Sequence, residues 1–533
     1  MEGHGTIMRK HHILTAVAAA AVFSLGASTL ALAGEESTSG GTFTYARSDS
    51  TTSFDLHQEI TENNAFAIDK VFESLVTFDN DGNIIDWLAE DHKISDDGLV
   101  YTFTLRDGLK FSDGTDVTAE DVKFSIERHL EVGGSLPIEA DVKSVEAVDE
   151  KTVEITLGTA YTPFLSELAN FSNGIIPKDF GGKTEEEFFK NPVGTGPFAV
   201  SEWDPSGDLT FVKNEYYWQE GKPYIDELVY KVVDDDNQAL NQLLAGEIDG
   251  IEDLSLSNAS NVDGNADTKT ATSFSYNVEE LFFNTLDEHF SDEHVRRALA
   301  MAIDRESLTK ALTFGYAEIA NTVLPRALLY QTNDTVNALS YDIDAAKEEL
   351  AQSAYPDGFD TTISIASGNN TRLQEAQIIQ AAGAQIGINI EINAQEISTF
   401  RSDFRDLNFS MMINSATADY PDAMLIVVSK PSGYADCANS SFAFQVDPDG
   451  WSKCYWTSYN NETAADLMRK GQVTPDGDER AAVYEELQQI LADEVPYIPL
   501  YNSENVVGLR DNVEGFTVLP NGSVHFEDVY FEE

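Results

Sequence analysis

The stretch that decides the fold lies between Thr361 and Asp422 and reads TTISIASGNNTRLQEAQIIQAAGAQIGINIEINAQEISTFRSDFRDLNFSMMINSATADYPD. Its apolar residues change period several times, from the alternation of a strand to the spacing of a helix. The predicted order is strand 361–366, helix 371–386, strand 388–394, helix 397–406 and strand 409–414. This order predicts a parallel sheet with covering helices, because a parallel return needs a crossover of roughly a dozen residues.

The segment Ser415-Ala-Thr-Ala-Asp419 follows the third predicted strand, and Pro421 prevents further ladder pairing. Ligands of parallel sheets bind beyond the carboxyl ends of the strands. We therefore predict that a bound small molecule contacts this segment. A simpler interpretation is also open, in which Asp419 only begins a turn before Pro421.

Length and composition predict a large protein with a solvated acidic surface. The 533 residues exceed the size of a single core, so two or more domains are expected. A balance of 33 basic against 92 acidic residues gives a net charge of −59, which argues against nucleic-acid binding. The acids are scattered through periodic segments, which is typical of a soluble coat that can steer cationic solutes. A saline or an acidic habitat fits the same composition.

The first 33 residues have the pattern of a secretory signal. Arg9 and Lys10 precede an apolar stretch, and Ala31-Leu-Ala33 provides a cleavage site before Gly34. The alternative is an uncleaved membrane anchor, since about twenty apolar residues can span a bilayer. No Cys lies near the processing site, so a lipid anchor is not expected, and the predicted location is periplasmic or extracellular.

The two cysteines, Cys437 and Cys454, are predicted to form a disulfide, as an isolated pair in an exported protein does most simply. A metal site would need further ligands, and no His lies between Asp422 and Asn521.

The N-terminal half predicts a strand-rich subdomain. Thr42 to Ala46 is the first predicted strand, and Asn63 is predicted to cap a helix that runs to Leu75. Residues 100–105 alternate before Arg106-Asp-Gly108, which is a hairpin signal, and residues 144–157 contain a second hairpin.

Signals for catalysis, metals and cofactors are weak, and we predict none of the three. The sequence contains neither G-x-S-x-G nor H-E-x-x-H. His289 and His294 flank Glu293, but their spacing matches no zinc-protease pattern. Gly194 and Gly196 lack the third glycine and the following helix of a phosphate loop.

Five stretches together resemble the extracellular solute-binding proteins of bacterial ABC importers, in particular the oligopeptide- and dipeptide-binding family, family 5. They are Leu99–Gly114, Thr118–Arg128, Pro192–Trp218, Phe283–Leu308 and Ala418–Asp422. The resemblance covers nearly the whole mature chain in order, and it is specific for the family but not for the ligand.

The resemblance implies an α/β, two-lobed periplasmic-binding-protein-like fold with a hinge. The first lobe would contain residues 42–283, with an extra subdomain at 76–189, and would be completed by 503–533, while 284–502 would form the second lobe. The protein would be a monomer that closes on a peptide and hands it to the permease of an ABC transporter.

The resemblance also assigns ligand-binding positions. Asp419, with Tyr420 beside it, matches the acid that pairs with the amino terminus of a peptide, in a charge-assisted hydrogen bond. Main-chain recognition would come from Ser415, Ala416 and Thr417 on one side and from Ile60, Thr61 and Glu62 on the other. Similar peptide binders usually have Trp where this chain has Ala416, which leaves open another solute, such as an oligosaccharide or a nickel chelate. A chaperone-like surface protein is the alternative from a different class.

Overall fold

The computed structural model describes residues 40–58, 61–79, 82–418, 420–423, 459 and 461–532. Several predicted features therefore lie outside the described residues: the signal segment 1–33, Ile60, Asp419, Cys437 and Cys454. For Ala416 only the backbone is described. Within the described residues, no helix is long and apolar enough to cross a bilayer.

The strands, in chain order, are β1 Thr42–Arg47, β2 Val76–Phe78, β3 Ile84–Asp86, β4 Ala89–Ile94, β5 Val100–Leu105, β6 Val142–Ala147, β7 Thr152–Leu157, β8 Phe198–Trp203, β9 Leu209–Lys213, β10 Glu227–Val232, β11 Gly250–Ile251, β12 Thr268–Phe283, β13 Ala317–Ile319, β14 Phe359–Ala366, β15 Ile388–Gln395, β16 Met411–Thr417, β17 Tyr497–Arg510, β18 Val513–Glu514 and β19 Tyr530–Phe531.

The α-helices of the described residues are α1 Glu62–Ile68, α2 Ala119–Val132, α3 Phe164–Leu168, α4 Glu185–Lys190, α5 Asp236–Ala245, α6 Leu256–Asp263, α7 Glu293–Ala302, α8 Arg305–Leu312, α9 Ile343–Leu350, α10 Asn370–Gln385, α11 Ile397–Arg405, α12 Glu462–Val473 and α13 Asp478–Glu494. Short 3₁₀ turns lie at Phe171–Asn173, Lys178–Gly182 and Phe526–Asp528.

The decisive stretch folds as the predicted parallel unit. β14 pairs in parallel with β15 on one side and with β16 on the other, and α10 and α11 form the crossovers. α10 lies so close to β15 that a side chain at Gly383 would come within 2.8 Å of Ile390 Cδ1. The end of the third strand is the one error, because β16 continues to Thr417 and therefore includes Ser415. The strand extends because β12 pairs with it as far as Thr417.

The unit belongs to a large mixed sheet with the order β15-β14-β16-β12-β17-β11-β1-β10-β9-β8, and β13 pairs with β17. We call β14, β15 and β16 the C-terminal parallel group, and β1, β10 and β11 the N-terminal parallel group. The antiparallel strands β12 and β17 connect the two groups, and their register shifts between Phe274 and Val278.

The predicted strand-rich insertion is a separate four-stranded sheet of order β4-β5-β7-β6. The hairpin of β6 and β7 is confirmed. The first hairpin signal was wrong, because β5 already pairs with β4 and β7 and the turn at 106–108 joins it to no paired strand. α2 packs against β6 and β7, and Phe103, Val153 and Ile155 are fully buried between them and their neighbours.

The start of α1 also differs from the prediction. Thr61 caps the helix and accepts a hydrogen bond from the backbone N of Asn64. Asn63 instead accepts a hydrogen bond from Arg47 NH2 at 2.9 Å. The predicted cap was wrong because a buried arginine distant in sequence uses that side chain, and the helix ends at Ile68 rather than at Leu75.

Candidate functional site

The predicted binding segment lies at the carboxyl end of the C-terminal parallel group. β14 pairs with β16 only through Ile363–Met411 and Ser364–Met412. From Ile413 to Thr417, therefore, β12 is the only strand that pairs with β16 in the described part of the chain. A strand with one unpaired side offers N–H and C=O groups to an extended ligand.

Arg372 lies beside this side of β16. It stands in the first turn of α10, whose cap Asn369 accepts a hydrogen bond from the Arg372 backbone N at 2.9 Å. The guanidinium donates to both carboxylate oxygens of Glu279, at 2.6 and 3.1 Å. It also donates to Asn414 Oδ1 and to Ser415 Oγ, each at 3.1 Å. One arginine thus connects α10, β12 and β16 at the predicted binding position.

Electrostatics favour the charged form of this arginine. Burial alone would lower the pKa of Arg372, but the charge and hydrogen bonds of Glu279 outweigh burial and raise it. Two parallel N–H···O bonds to one carboxylate also fix the planar group in orientation. Arg372 therefore stays positively charged. From its place on α10 it holds the side chain of Ser415 by a hydrogen bond.

A second carboxyl group lies nearby. Glu375 is fully buried one turn after Arg372 and accepts a hydrogen bond from Tyr501 OH. Burial, together with the charge of Glu279, raises the pKa of Glu375 to about 8. Both causes favour the protonated form of this group.

Thr417 ends β16 with an exposed side chain. Its Oγ1 accepts a hydrogen bond from Asn277 Nδ2 at 2.8 Å. The next residue, Ala418, donates its N–H to Tyr276 O at 2.9 Å, and Tyr276 N donates to Pro520 O at 3.0 Å. The segment after β16 is thus fixed to β12 at the shift in register, and β12 is fixed there to the C-terminal tail.

Tyr420 is buried, and its OH donates to Glu167 Oε1 at 3.1 Å. Asp422 is buried too, and accepts two hydrogen bonds from Arg480 of α13, each at 2.9 Å. The hydroxyl of Tyr420 therefore already has a protein partner. The predicted role of Tyr420 in ligand binding stays a prediction.

The other predicted edge lies at the start of α1. Thr61 is the cap and Glu62 is the first helical residue, with an exposed side chain. Although the residue is exposed overall, nearby protein atoms partly exclude water from the carboxyl group of Glu62. This desolvation and the charge of Asp253 raise the pKa of Glu62. Glu252, which follows β11, pairs with Arg47 at 2.9 Å, and burial raises its pKa to about 7. Three carboxyl groups thus lie around one arginine on this side.

The structure brings Ser415 and Thr417 together in β16, and Thr61 and Glu62 together in α1. No hydrogen bond or ion pair among the described residues joins the two sets. Their shared role in binding remains a prediction.

Sequence reasoning missed Arg372, Glu279 and Glu167. Arg372 had a usable signal, because it stands in the first turn of a helix that follows a parallel strand, where ligands of such sheets bind. Glu279 and Glu167 had no local signal among so many scattered acids.

Comparison with known proteins agrees with this architecture. A sequence profile of the bacterial extracellular solute-binding proteins, family 5, middle region, matches residues 83–436. The glutathione-binding protein GsiB of Escherichia coli O1:K1 is 29% identical over 468 residues, covering 86% of this chain and 88% of its own.

Two solved structures are similar in fold. The periplasmic binding protein DppA from Helicobacter pylori, in complex with the peptide STSA, has a TM-score of 0.74 and 27% identity, covering 93% of this chain and 99% of its own. AgaA from A. tumefaciens R10, in complex with agropinic acid, has a TM-score of 0.73 and 26% identity, covering 92% and 99%. The predicted two-lobed α/β fold is confirmed.

Proposed function

Because the chain belongs to the bacterial extracellular solute-binding proteins of family 5, we propose that it captures peptides outside the cytoplasm and delivers them to an ABC transporter permease. The observation that carries the proposal is the unpaired side of β16, which leads directly into the predicted amine-binding Asp419. We expect the receptor to act as a monomer and to perform no chemistry on its ligand.

Main-chain recognition explains how one site could take many peptides. An extended ligand can form backbone hydrogen bonds with residues 413–417 without any demand on its side chains. Arg372 keeps Ser415 in a fixed position, so the strand is ordered before the ligand arrives. Order before binding reduces the entropy lost on association.

The charge distribution supports a ligand with an amino group. Glu62, Glu252 and Asp253 outnumber the single Arg47 on one side, and Asp419 is expected on the other. A carboxylate that faces an ammonium forms a charge-assisted hydrogen bond, which is roughly twice as strong as a neutral one.

Two ligand classes have specific support. A relative by sequence is named as glutathione-binding, and glutathione is a tripeptide with a free amino group. A relative by structure holds agropinic acid, which is not a peptide. The second candidate function is therefore the same receptor with another solute, of which an oligosaccharide and a nickel chelate are further examples.

Isothermal titration calorimetry can test the proposal with Ala-Ala-Ala, N-acetyl-Ala-Ala-Ala and glutathione as probes. We expect N-acetylation to weaken binding to the wild type by about tenfold or more, because it removes a hydrogen bond to a charged group. In Asp419→Asn the two alanine peptides should bind nearly alike. Equal binding of both peptides to the wild type would refute the role of Asp419.

Small-angle scattering separates the receptor from a chaperone-like surface protein. A receptor should contract when Ala-Ala-Ala is added at saturation, because a ligand that favours the closed state shifts the population toward it. Binding of unfolded chains without contraction would favour the chaperone class.

Native mass spectrometry of the freshly purified protein would show which solute it carries.

Processing can be measured on the exported protein. We propose that residues 1–33 are removed, so that N-terminal sequencing begins at Gly34. A retained N-terminus in the membrane fraction would indicate the anchor instead.

Peptide mapping without reductant should recover Cys437 and Cys454 in one linked species.

A further inference from the structure

The segment Tyr420–Asp422, directly after the predicted ligand-binding Asp419, is held from two sides. Asp422 is bound by Arg480 of α13, which belongs to the predicted second lobe. Tyr420 is bound by Glu167 of α3, which lies 253 residues earlier in the predicted subdomain.

Glu167 is itself held firmly by its own region. It is 2% exposed and accepts hydrogen bonds from four donors: Tyr161 OH at 3.0 Å, Glu139 N at 3.2 Å, Ala140 N at 3.3 Å and Tyr420 OH at 3.1 Å. Three of these donors come from the subdomain. The carboxyl group is therefore a fixed acceptor for the fourth, Tyr420.

Two further regions of the predicted second lobe contact the subdomain. Thr162 donates its N–H to Gln472 O at 2.8 Å and its hydroxyl to Thr474 O at 3.0 Å. Gly82, which precedes β3, lies near Pro421, since a Cβ added at Gly82 would come within 3.7 Å of Pro421 Cβ. The subdomain thus contacts the segment around Pro421 and the end of α12.

We propose that Glu167 is a positioning residue for solute capture: through Tyr420, the subdomain holds the segment Tyr420–Asp422, which directly follows the predicted amine-binding Asp419 in the sequence. The consequence for affinity rests on the proposed peptide-binding function, whereas the positioning itself does not. A carboxylate must be in place to meet an ammonium, and an unheld segment would have to be ordered when the ligand binds.

Two matched variants test the proposal. Tyr420→Phe removes the phenol hydroxyl that donates to Glu167, and Tyr217→Phe removes one that donates to a different buried carboxyl group, Glu73, at 3.0 Å. Only Tyr420→Phe should loosen the segment. Hydrogen exchange of the ligand-free protein should show about tenfold faster exchange of the Ala418 and Asp422 amides in Tyr420→Phe, and no change there in Tyr217→Phe.

The affinity for Ala-Ala-Ala should fall by about three- to tenfold in Tyr420→Phe and stay unchanged in Tyr217→Phe. A double-mutant cycle with Glu167→Met adds a second readout, because Tyr420→Phe should have no further effect once its acceptor is absent. Equal exchange at residues 418–422 in both tyrosine variants would overturn the proposal. If the wild type binds no peptide, the proposed function fails, while the exchange data still decide the positioning.

Discussion

An Arg–Glu pair lies at the carboxyl end of each parallel group, and the first pair is buried whereas the second is partly exposed. Arg47 ends β1, is 2% exposed, and pairs with Glu252. Its remaining bonds go to Asn63, and its guanidinium lies 4.5 Å from the ring centroid of Tyr230. All of these partners belong to the N-terminal half. Arg47 therefore connects the end of β1 to the residues that follow β11 and to those that begin α1.

Arg372 pairs with Glu279 but remains 15% exposed, and it also reaches Ser415 on the unpaired side of β16. The chemistry of the two pairs is the same. The difference lies in what each arginine orders: Arg47 holds Asn63 at the start of α1, beside the predicted Thr61 and Glu62, whereas Arg372 holds Ser415 on the unpaired side of β16.

The largest expected effect comes from Arg47→Met. The substitution leaves Glu252 buried without its cation, which should lower the free energy of unfolding by about 3–5 kcal/mol. Urea denaturation followed by circular dichroism would measure the change. A loss of less than 1 kcal/mol would show that the pair does not stabilise the fold.

Arg372→Met should have a smaller effect on stability, because its pair is partly exposed, but it should also weaken binding of Ala-Ala-Ala. We expect a loss of about tenfold in affinity, the equivalent of one hydrogen bond that no longer orders Ser415. Arg372→Lys is the matched control, since it keeps the charge and loses the two parallel bonds. If Arg372→Met bound Ala-Ala-Ala as tightly as the wild type, Arg372 would have no role in ordering the binding segment.

The pH dependence of stability tests the surroundings of Glu375, which lies one turn after Arg372. Its folded-state pKa is raised from 4.5 to about 8, so the native protein holds a proton that the unfolded chain releases. This contribution to stability is complete below about pH 4.5 and is lost as the pH rises to about 8. Glu375→Gln should therefore reduce the decline in unfolding free energy between pH 5 and 8 by about 1–3 kcal/mol. Parallel curves for the variant and the wild type would contradict the raised pKa.

Salt should separate surface charge from the buried pair. The net charge of −59 makes the folded surface repel itself, so thermal stability should rise as sodium chloride is increased from 0.1 to 2 M. The stability difference between the wild type and Arg47→Met should change by less than about 0.5 kcal/mol over the same range, because the pair is shielded from ions. A difference that disappears in salt would mean that the pair is accessible to solvent.

The sequence predicted the parallel unit well, since its strands and helices differ from the prediction by only a few residues. The end of β16 was missed because β12, more than a hundred residues away, extends the pairing to Thr417. The cap at Asn63 was missed for a similar reason, since Arg47 takes its side chain. Both errors occurred where a distant partner outweighed a local preference.

Local sequence patterns were enough to predict the parallel unit and the family, because periodicity and motifs are local properties of the chain. Tertiary structure alone decided which charges pair. Arg47 and Glu252 are 205 residues apart, and Arg372 and Glu279 are 93 apart. Among 92 acidic side chains, only the path of the backbone selects the few that meet a buried arginine.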